Sequence, residues 1–290
     1  MKKVLVTGGS GFIGRQAVRF LQQRGFEVLA PSSTEMNVLD PEAVTAYVSM
    51  NKPTHALHCA WIATPGVYQE SPDNQRWVDS SMHFFRELIG SGAKRIVGVG
   101  TCFEYTWPET PCVEDETPTD AATTFYGRCK NECRKQLMEL AADKGISAAW
   151  GRVFYLYGPN EPEKKLVASV INSLLKNEDV ACTHGRQVRD FSYVEDIGDA
   201  LACLVDSDIR GPVNVASGEA TSLKDLLTIP ARQLGNPEKL KFGAREAPPN
   251  EPPVIAADIS KLTSTGWVRR HSHEEGMRKA IEWWKDALKS

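Results

Sequence analysis

A glycine-rich stretch near the start of the chain constrains its fold more than any other feature. Gly8, Gly11 and Gly14 recur at three-residue intervals, after the apolar residues 4–7 and before an amphipathic stretch that reaches about residue 24. Apolar positions in that stretch recur at helical spacing, and Gly25 follows where a helix is commonly ended. A strand, a tight glycine turn and a helix in this order are typical of a parallel α/β sheet.

The first half of the chain continues to alternate short apolar runs with helical patterns. We predict strands at residues 27–30, 55–60, 95–100 and 148–154, a helix capped by Asp40 with Pro41 at its first position, and a helix at 125–143. Because parallel strands need crossover helices, this rhythm predicts an α/β fold with a doubly wound, Rossmann-like parallel sheet.

The rhythm changes after residue 158, where loops lengthen and residues 244–253 become proline-rich. We therefore predict two domains. Residues 1–158 form a dinucleotide-binding domain that carries the helix at 125–143, and residues 159–290 form a smaller C-terminal substrate-binding lobe that is interwoven with the first.

Composition excludes several classes of function. The 290 residues are 41% hydrophobic and 24% charged with a net charge of −3, which allows a sizeable core and makes nucleic acid a poor partner. No run approaches the roughly 18 apolar residues of a membrane span, and the first residues do not resemble an export signal, so we expect a cytoplasmic protein with no membrane partner. The seven cysteines are scattered, and no metal site is predicted.

The glycine turn predicts a dinucleotide site, because glycines let the backbone approach a pyrophosphate and the helix N-terminus offers free N–H groups. Residues 30–34, after the second strand, contain no acid to repel a 2′-phosphate, and Arg15 could add a charge. NADP is therefore the predicted cofactor and NAD the second choice. The residues expected to contact it, besides a lysine considered next, are Gly8, Gly11, Phe12, Ile13, Gly14, Ser32, Ser33, Asn37, Val38 and Ala60.

Tyr126 and Lys130 are four residues apart in a predicted helix, so they share one helical face. We expect the lysine ammonium and a positively charged nicotinamide ring to lower the tyrosine pKa from its ordinary value near 10, so that the phenol works as a general acid or base. Lys130 can also bond the nicotinamide ribose. Thr101 follows the strand at 95–100, at the sheet edge where ligands bind, and is expected to hold the substrate oxygen.

Several segments resemble the extended short-chain dehydrogenase/reductase family, in particular its nucleotide-sugar epimerases, dehydratases and reductases. Residues 7–14 look like its opening motif, Tyr126 and Lys130 match its Tyr-x-x-x-Lys, and Thr101 matches its catalytic Ser/Thr. Residues 152–159 and 185–196 resemble its Arg-x-x-Asn-x-Tyr-Gly-Pro and Arg-Asp-Phe-x-Tyr-Val-x-Asp segments. The resemblance covers nearly the whole chain and implies an NAD(P)-dependent oxidoreductase that acts on a nucleotide-linked sugar, as a homodimer.

The same resemblance implies where the substrate binds. In the family, the arginine of the last segment reaches the substrate diphosphate, and Arg189 stands at that position. Cys102, Trp61 and Tyr155 are the other predicted substrate contacts; Tyr155 stands where the family usually has Asn. Five aromatic residues could line the cleft or pack ordinarily beneath a long loop, and both alternatives stay open. They are Trp61, Tyr68, Trp77, Tyr105 and Trp107.

Departures from the family pattern narrow the reaction. Its 4,6-dehydratases carry an Asp-Glu pair directly after the catalytic threonine, whereas this chain has Cys102 and Phe103, and Glu104 comes one position late. Dehydration is therefore disfavoured. The first prediction is a 4-ketoreductase that transfers hydride from NADPH to a 4-keto(-6-deoxy) sugar nucleotide. The alternative is a nucleotide-sugar C4-epimerase with tightly bound NAD, and a non-catalytic dinucleotide-sensing protein ranks third.

Overall fold

The computed structural model describes residues 2–289, so Met1 and Ser290, the outer ends of the two predicted domains, lie outside the described residues. In chain order, the strands within this part are β1 (Lys3–Thr7), β2 (Glu27–Leu29), β3 (His55–His58), β4 (Arg95–Thr101), β5 (Ser147–Val153), β6 (Tyr155–Tyr157), β7 (Val180–Cys182), β8 (Val188–Tyr193), β9 (Gly211–Val215), β10 (Ala220–Ser222), β11 (Leu240–Phe242) and β12 (Val254–Ile255). The α-helices are α1 (Gly14–Gln23), α2 (Pro41–Asn51), α3 (Asp73–Gly90), α4 (Phe125–Lys144), α5 (Leu166–Leu175), α6 (Val194–Asp206), α7 (Leu223–Leu234), α8 (Ser260–Thr263) and α9 (His273–Ala287).

Six strands form one parallel sheet in the order β2-β1-β3-β4-β5-β9. Helices cover both of its faces, so the predicted α/β class and doubly wound sheet are confirmed. The Asp40 carboxylate accepts hydrogen bonds from the first turn of α2, and Pro41 occupies the first position of that helix, as predicted. No helix within residues 2–289 is long and apolar enough to span a bilayer.

Alternating residues of β1 supply both sides of the core. Val4 and Val6 face a cluster that includes Leu201 of α6, whereas Leu5 faces a cluster that includes Phe85 of α3. All of these side chains are fully buried, and each contributes roughly 1.5–3 kcal/mol to stability. Burial on both faces explains why this strand reads as a continuous apolar run rather than an alternating one.

The second half of the chain builds a smaller lobe around β8. This strand pairs antiparallel with β10 and parallel with β12 over its first residues, and parallel with β6 over its last three. Helices α5, α7 and α9 pack together beside it in an apolar cluster. The chain also returns to the large sheet, because β9 pairs with β5.

The carboxyl ends of the parallel strands position the site. Thr7 pairs with His58, His58 with Gly98, and Thr101 with Val153, so all of these strands end at one edge. Strand order reverses between β1 and β3, and the crevice at such a reversal is where ligands bind in doubly wound sheets.

Candidate active site

The predicted glycine turn joins β1 to α1 and leaves no room for side chains. Gly8 has φ of +67°, and a Cβ at Gly14 would lie 2.1 Å from the Gly8 carbonyl oxygen. Helix α1 begins after Ile13 with no side-chain cap and no acid in its first turn. Its N-terminus therefore presents a positive dipole end to an anion, which fits the pyrophosphate of a dinucleotide. Gly11 is exposed and Phe12 partly exposed beside it.

Ala60 closes the other side of the crevice. A Cβ at Gly8 would lie 2.9 Å from the Ala60 nitrogen, and that nitrogen donates a hydrogen bond to the Thr7 hydroxyl. The Thr7 hydroxyl oxygen also lies 2.7 Å from Nδ1 of His58, whose Nε2 lies 2.8 Å from the Ser81 hydroxyl. These bonds fix the ends of β1 and β3 as one rigid floor for a ligand.

The segment after β2 contradicts one premise of the cofactor prediction. An acid is present there, because the Glu35 carboxylate accepts hydrogen bonds of 2.8 Å from both the backbone nitrogen and the hydroxyl of Ser32. These bonds lower the pKa of Glu35. Sequence reasoning missed Glu35 because it considered only residues 30–34, and the turn brings the later side chain back.

The other residues predicted near the second strand differ in exposure. Ser33 and Asn37 are exposed, whereas Val38 is buried in the core cluster of α2 and α3. The Asn37 side chain accepts a hydrogen bond from the Leu39 nitrogen. A side-chain contact from Val38 to a cofactor is therefore not available, although its backbone remains at the turn.

Thr101, Tyr126 and Lys130 converge at the carboxyl end of β4. The Thr101 side chain lies close enough to the Tyr126 phenol to lower its pKa, and the Lys130 ammonium donates a 2.7 Å hydrogen bond to the carbonyl of Val99. Lys130 is buried, and its Nζ lies 6.0 Å from the centre of the Tyr126 ring. A phenol, an ammonium and a hydroxyl therefore meet beside the crevice, as the helical spacing predicted.

The protonation of this group differs from the expectation. Burial raises the pKa of Tyr126, and nearby Tyr68 and Glu104 add to the rise, while the Thr101 side chain opposes it. Burial also lowers the pKa of Lys130 to about 8. The chain's own groups thus favour a neutral phenol, because desolvation outweighs the effect of Thr101.

A close approach between α4 and the end of β4 makes this convergence possible. The Thr124 hydroxyl caps α4 by accepting from the Gly127 nitrogen. A Cβ at Gly127 would lie 2.1 Å from the carbonyl oxygen of Phe103. Only glycine lets the helix carry Tyr126 so near to Thr101.

Glu104 lies in the core and does not face the crevice. Its carboxylate accepts hydrogen bonds from the Thr101 nitrogen, the Trp150 indole and Nε of Arg152. It closes a capping box around the short 3-10 turn Cys102–Glu104. The expectation that Glu104 points away from a reacting hydroxyl agrees with this geometry.

Three of the predicted substrate residues lie together. Arg189 is buried and close enough to Cys102 and Tyr155 to lower the pKa of each side chain, although burial raises both pKa values more. Its Nη2 donates a 2.9 Å hydrogen bond to Glu251, whose other oxygen accepts from Gln187. Glu251 lies in the proline-rich segment, far away in sequence, and sequence reasoning missed it.

The aromatic residues proposed as one wall divide into separate groups. Trp61 stacks on Trp77 with ring centres 6.0 Å apart, and Trp107 contacts Phe103. Tyr105 is fully buried and donates to Asn214, so it belongs to the core. Trp61 lies against Lys130 near the cofactor crevice, whereas the other predicted substrate residues surround Arg189.

Tyr68 borders Tyr126, and Lys165 lies against Tyr68. The Tyr68 ring meets the Tyr126 ring edge-on at 4.9 Å, and the Lys165 ammonium lies 5.1 Å from the Tyr68 ring centre. Tyr68 belongs to the aromatic, proline-rich excursion after β3, which was its only signal in the sequence. Lys165 gave none, because its position depends on how the second lobe folds.

Comparisons with known proteins identify the family of the chain. Residues 4–216 match the family described as the NAD dependent epimerase/dehydratase family. GDP-L-fucose synthase 1 of Arabidopsis thaliana is 24% identical over 303 residues, which cover 97% of this chain and 93% of that protein. The methionine adenosyltransferase 2 subunit beta of Mus musculus is 24% identical, with 97% and 87% covered.

A solved structure agrees with the fold. The UDP-glucose 4-epimerase of Thermus thermophilus, in complex with NAD, superposes with a TM-score of 0.85 at 24% identity, covering 98% of this chain and 99% of that one. This likeness supports the architecture, and the family profile spans the glycine turn, the Tyr126 and Lys130 pair, Arg189 and β9. The predicted family is confirmed: the chain belongs to the NAD-dependent epimerase/dehydratase family of extended short-chain dehydrogenases/reductases.

Proposed function

We propose that this protein is a 4-ketoreductase that uses NADPH to reduce a 4-keto(-6-deoxy) sugar nucleotide. The observation that carries the proposal is the set of Tyr126, Thr101 and Lys130 at the carboxyl end of β4, with a neutral phenol beside the Thr101 side chain. Glu104, the nearest carboxylate in sequence after Thr101, is committed to Arg152, which disfavours dehydration. The name of GDP-L-fucose synthase among the relatives supports a nucleotide-linked sugar.

Tyr126, Thr101 and Lys130 have different roles in the proposed proton transfer. A bound nicotinamide supplies the hydride for the carbonyl carbon. Tyr126 donates its proton to the carbonyl oxygen, since burial keeps the phenol protonated at neutral pH. The Thr101 hydroxyl holds that oxygen, and the Lys130 ammonium stabilises the phenolate that proton donation leaves.

The choice of NADPH rests on Arg15. Its guanidinium binds the carbonyls of Ser10 and Gly11 in the exposed glycine turn, where it could pair with a 2′-phosphate. Glu35 opposes this choice by its charge. We therefore expect the Glu35→Gln variant to tighten NADPH binding more than NADH binding, because only NADPH carries the repelled phosphate.

A C4-epimerase with tightly bound NAD is the second candidate, and Glu35 is the observation that favours it. A carboxylate after the second strand commonly binds the ribose hydroxyls of NAD. The non-catalytic alternative ranks third, because such a protein typically loses the tyrosine or the lysine and both are present here.

Substrate and assembly complete the proposal. Arg189 is proposed to bind the diphosphate with its planar guanidinium, beside Tyr155 and Cys102.

A cytoplasmic homodimer stays a prediction. Apolar side chains of α3 and α4 could form its interface, but Phe84, Phe85, Leu88 and Leu137 are buried in the core. Size-exclusion chromatography with light scattering tests the assembly.

One assay separates the candidates. The purified protein is first examined for nicotinamide absorbance, and NADPH or NADH is then added with a panel of 4-keto-6-deoxy and non-oxidised nucleotide sugars. Stoichiometric NADPH consumption with a keto sugar supports the reductase. Retained NAD together with interconversion of a C4 epimer pair, without net cofactor consumption, overturns it. Tighter binding of NADH than of NADPH overturns the cofactor proposal alone.

A further inference from the structure

The ammonium of Lys130 has an unusual neighbour in this chain. Besides the Val99 carbonyl at 2.7 Å, it lies 3.8 Å from the centre of the Trp61 ring. That distance is well within the roughly 6 Å at which a cation over an indole face is attracted by the ring quadrupole. Because Lys130 is buried, the attraction is only weakly screened.

Two further contacts, with Asn74 and Trp77, hold the indole in place. Its Nε1 donates a 2.8 Å hydrogen bond to Asn74, and its ring stacks on Trp77 at an interplanar angle of 28°. Asn74 is fully buried, and its amide donates to the backbone carbonyls of Tyr68 and Ser71. Trp61 is therefore a fixed wall and not a mobile surface side chain.

Trp61 also directly follows Ala60, the residue that abuts Gly8 in the cofactor crevice. The backbone next to the indole therefore contacts the glycine turn, while the indole ring contacts Lys130. A lysine has three N–H donors. One N–H of Lys130 is donated to the Val99 carbonyl and one faces the indole, so the third N–H is left for the cofactor ribose or Tyr126.

We propose that Trp61 is a positioning residue for Lys130, which holds the ammonium between its indole face and the Val99 carbonyl so that one donor points at the reacting groups. This inference rests on the proposed function and deepens it. It assigns Trp61 to the catalytic lysine instead of to the substrate.

Charge and burial give the arrangement a measurable consequence. The groups that face Lys130 are His58 and Cys59 at the end of β3, Glu104 after β4, and Tyr126 and Cys133 on α4. Burial lowers the pKa of Lys130 to about 8, whereas the indole face favours the charged form. Removal of the face therefore lowers the pH at which the ammonium is lost.

The test compares Trp61→Leu, which removes the π face, with Trp61→Phe, which keeps a weaker one, and with the control Trp283→Phe on α9. We expect the alkaline limb of kcat/KM to move down by roughly one pH unit in the leucine variant and by less in the phenylalanine variant. Turnover at neutral pH should fall roughly tenfold or more in the leucine variant, because the lysine is misplaced. If the leucine variant has the same alkaline pH dependence of kcat/KM and the same turnover as the wild type, the proposal is wrong.

A second readout needs no turnover and no substrate. The tryptophan emission of the wild type, minus that of Trp61→Phe, is titrated between neutral and alkaline pH. We expect a transition near pH 8 that disappears in Lys130→Met, since loss of the ammonium changes the field at the indole. If the fluorescence transition is observed but the protein has no ketoreductase activity, the proposed function is wrong and the positioning role is retained. If the protein is active but shows no such transition, the positioning role is wrong.

Discussion

The carboxylate of Glu104 lies 2.9 Å from Nε of Arg152, and both side chains are buried beneath the 3-10 turn Cys102–Glu104. The same carboxylate accepts the backbone N–H of Thr101, so the ion pair also fixes the carboxyl end of β4. A single substitution leaves the arginine charge buried without its partner.

We expect Glu104→Gln to lower the free energy of unfolding by about 3–5 kcal/mol, as loss of one member of a buried ion pair does. Urea denaturation measures this. The matched control is Glu282→Gln, which breaks the exposed pair with Arg278 and should cost less than about 0.5 kcal/mol. Equal effects in both variants would contradict the structural role of the buried pair.

Tyr126→Phe should reduce turnover at least roughly 10²-fold, because the phenyl ring keeps the packing against Tyr68 but has no proton to give. The Kd for NADPH should stay near the wild-type value. Steady-state kinetics and a fluorescence titration measure the two quantities, with Tyr47→Phe on α2 as the control. Unchanged turnover in the Tyr126 variant would remove this residue from the mechanism.

Gly127→Ala tests the close approach of α4. The added Cβ would meet the Phe103 carbonyl at 2.1 Å, so the helix must move away from Thr101 and turnover should fall roughly tenfold or more. Gly90→Ala on α3 is the control, since its Cβ would meet nothing within 4 Å. Kinetics and thermal melts of both variants distinguish loss of geometry from loss of the fold, and an active, equally stable Gly127 variant argues against the approach.

Arg189→Lys tests the substrate site. Lysine keeps the charge but loses the fork, and loss of one charged hydrogen bond should raise the Kd for a nucleotide sugar roughly 10–100-fold. Isothermal calorimetry measures this, with Arg186→Lys on the exposed turn nearby as the control. An unchanged Kd would assign Arg189 only to its pairing with Glu251.

His58 predicts a pH dependence of stability. Burial, with a smaller effect of Lys130, lowers its pKa from 6.5 to about 3. Below pH 6.5 the His58 imidazole binds a proton in the unfolded chain but not in the folded chain. The free energy of unfolding therefore falls as the pH falls towards 3. By pH 5 the loss from this group is about 2 kcal/mol.

Urea denaturation at pH 7 and pH 5 checks this expectation. His58→Gln should show a smaller difference between the two pH values than the wild type, by roughly that amount. A variant with the same pH dependence as the wild type would mean that other groups carry the acid sensitivity.

The sequence predicts five of the six strands of the large sheet because each of the five is encoded locally, whereas β9 was not predicted. The apolar runs and the caps at Asp40 and Gly25 lie within a few residues of the elements that they define. The predicted helix at 125–143 differs from α4 by one residue, because Thr124 and Gly145 mark its two ends.

The environment of the site is encoded by contacts between distant segments, which local patterns cannot reveal. Glu251 meets Arg189 across 62 residues, and Arg152 meets Glu104 across 48. Glu35 is an exception, because it contacts Ser32 only three residues away and lies just beyond the residues considered. The convergence of Thr101, Tyr126 and Lys130 was predictable from spacing, and their catalytic roles stay a prediction, whereas the groups that surround them required the three-dimensional structure.

The pairing of β9 with β5 sets the order in which the molecule can be completed during synthesis. Residues 154–210 separate the two strands, so at roughly 5–20 residues per second the ribosome needs about 3–11 s to make the intervening chain. Throughout that interval the nascent sheet carries β5 as a bare edge with unpaired amides. The newborn chain is then most exposed to mispairing, and a chaperone that shields this edge would act before residue 215 emerges.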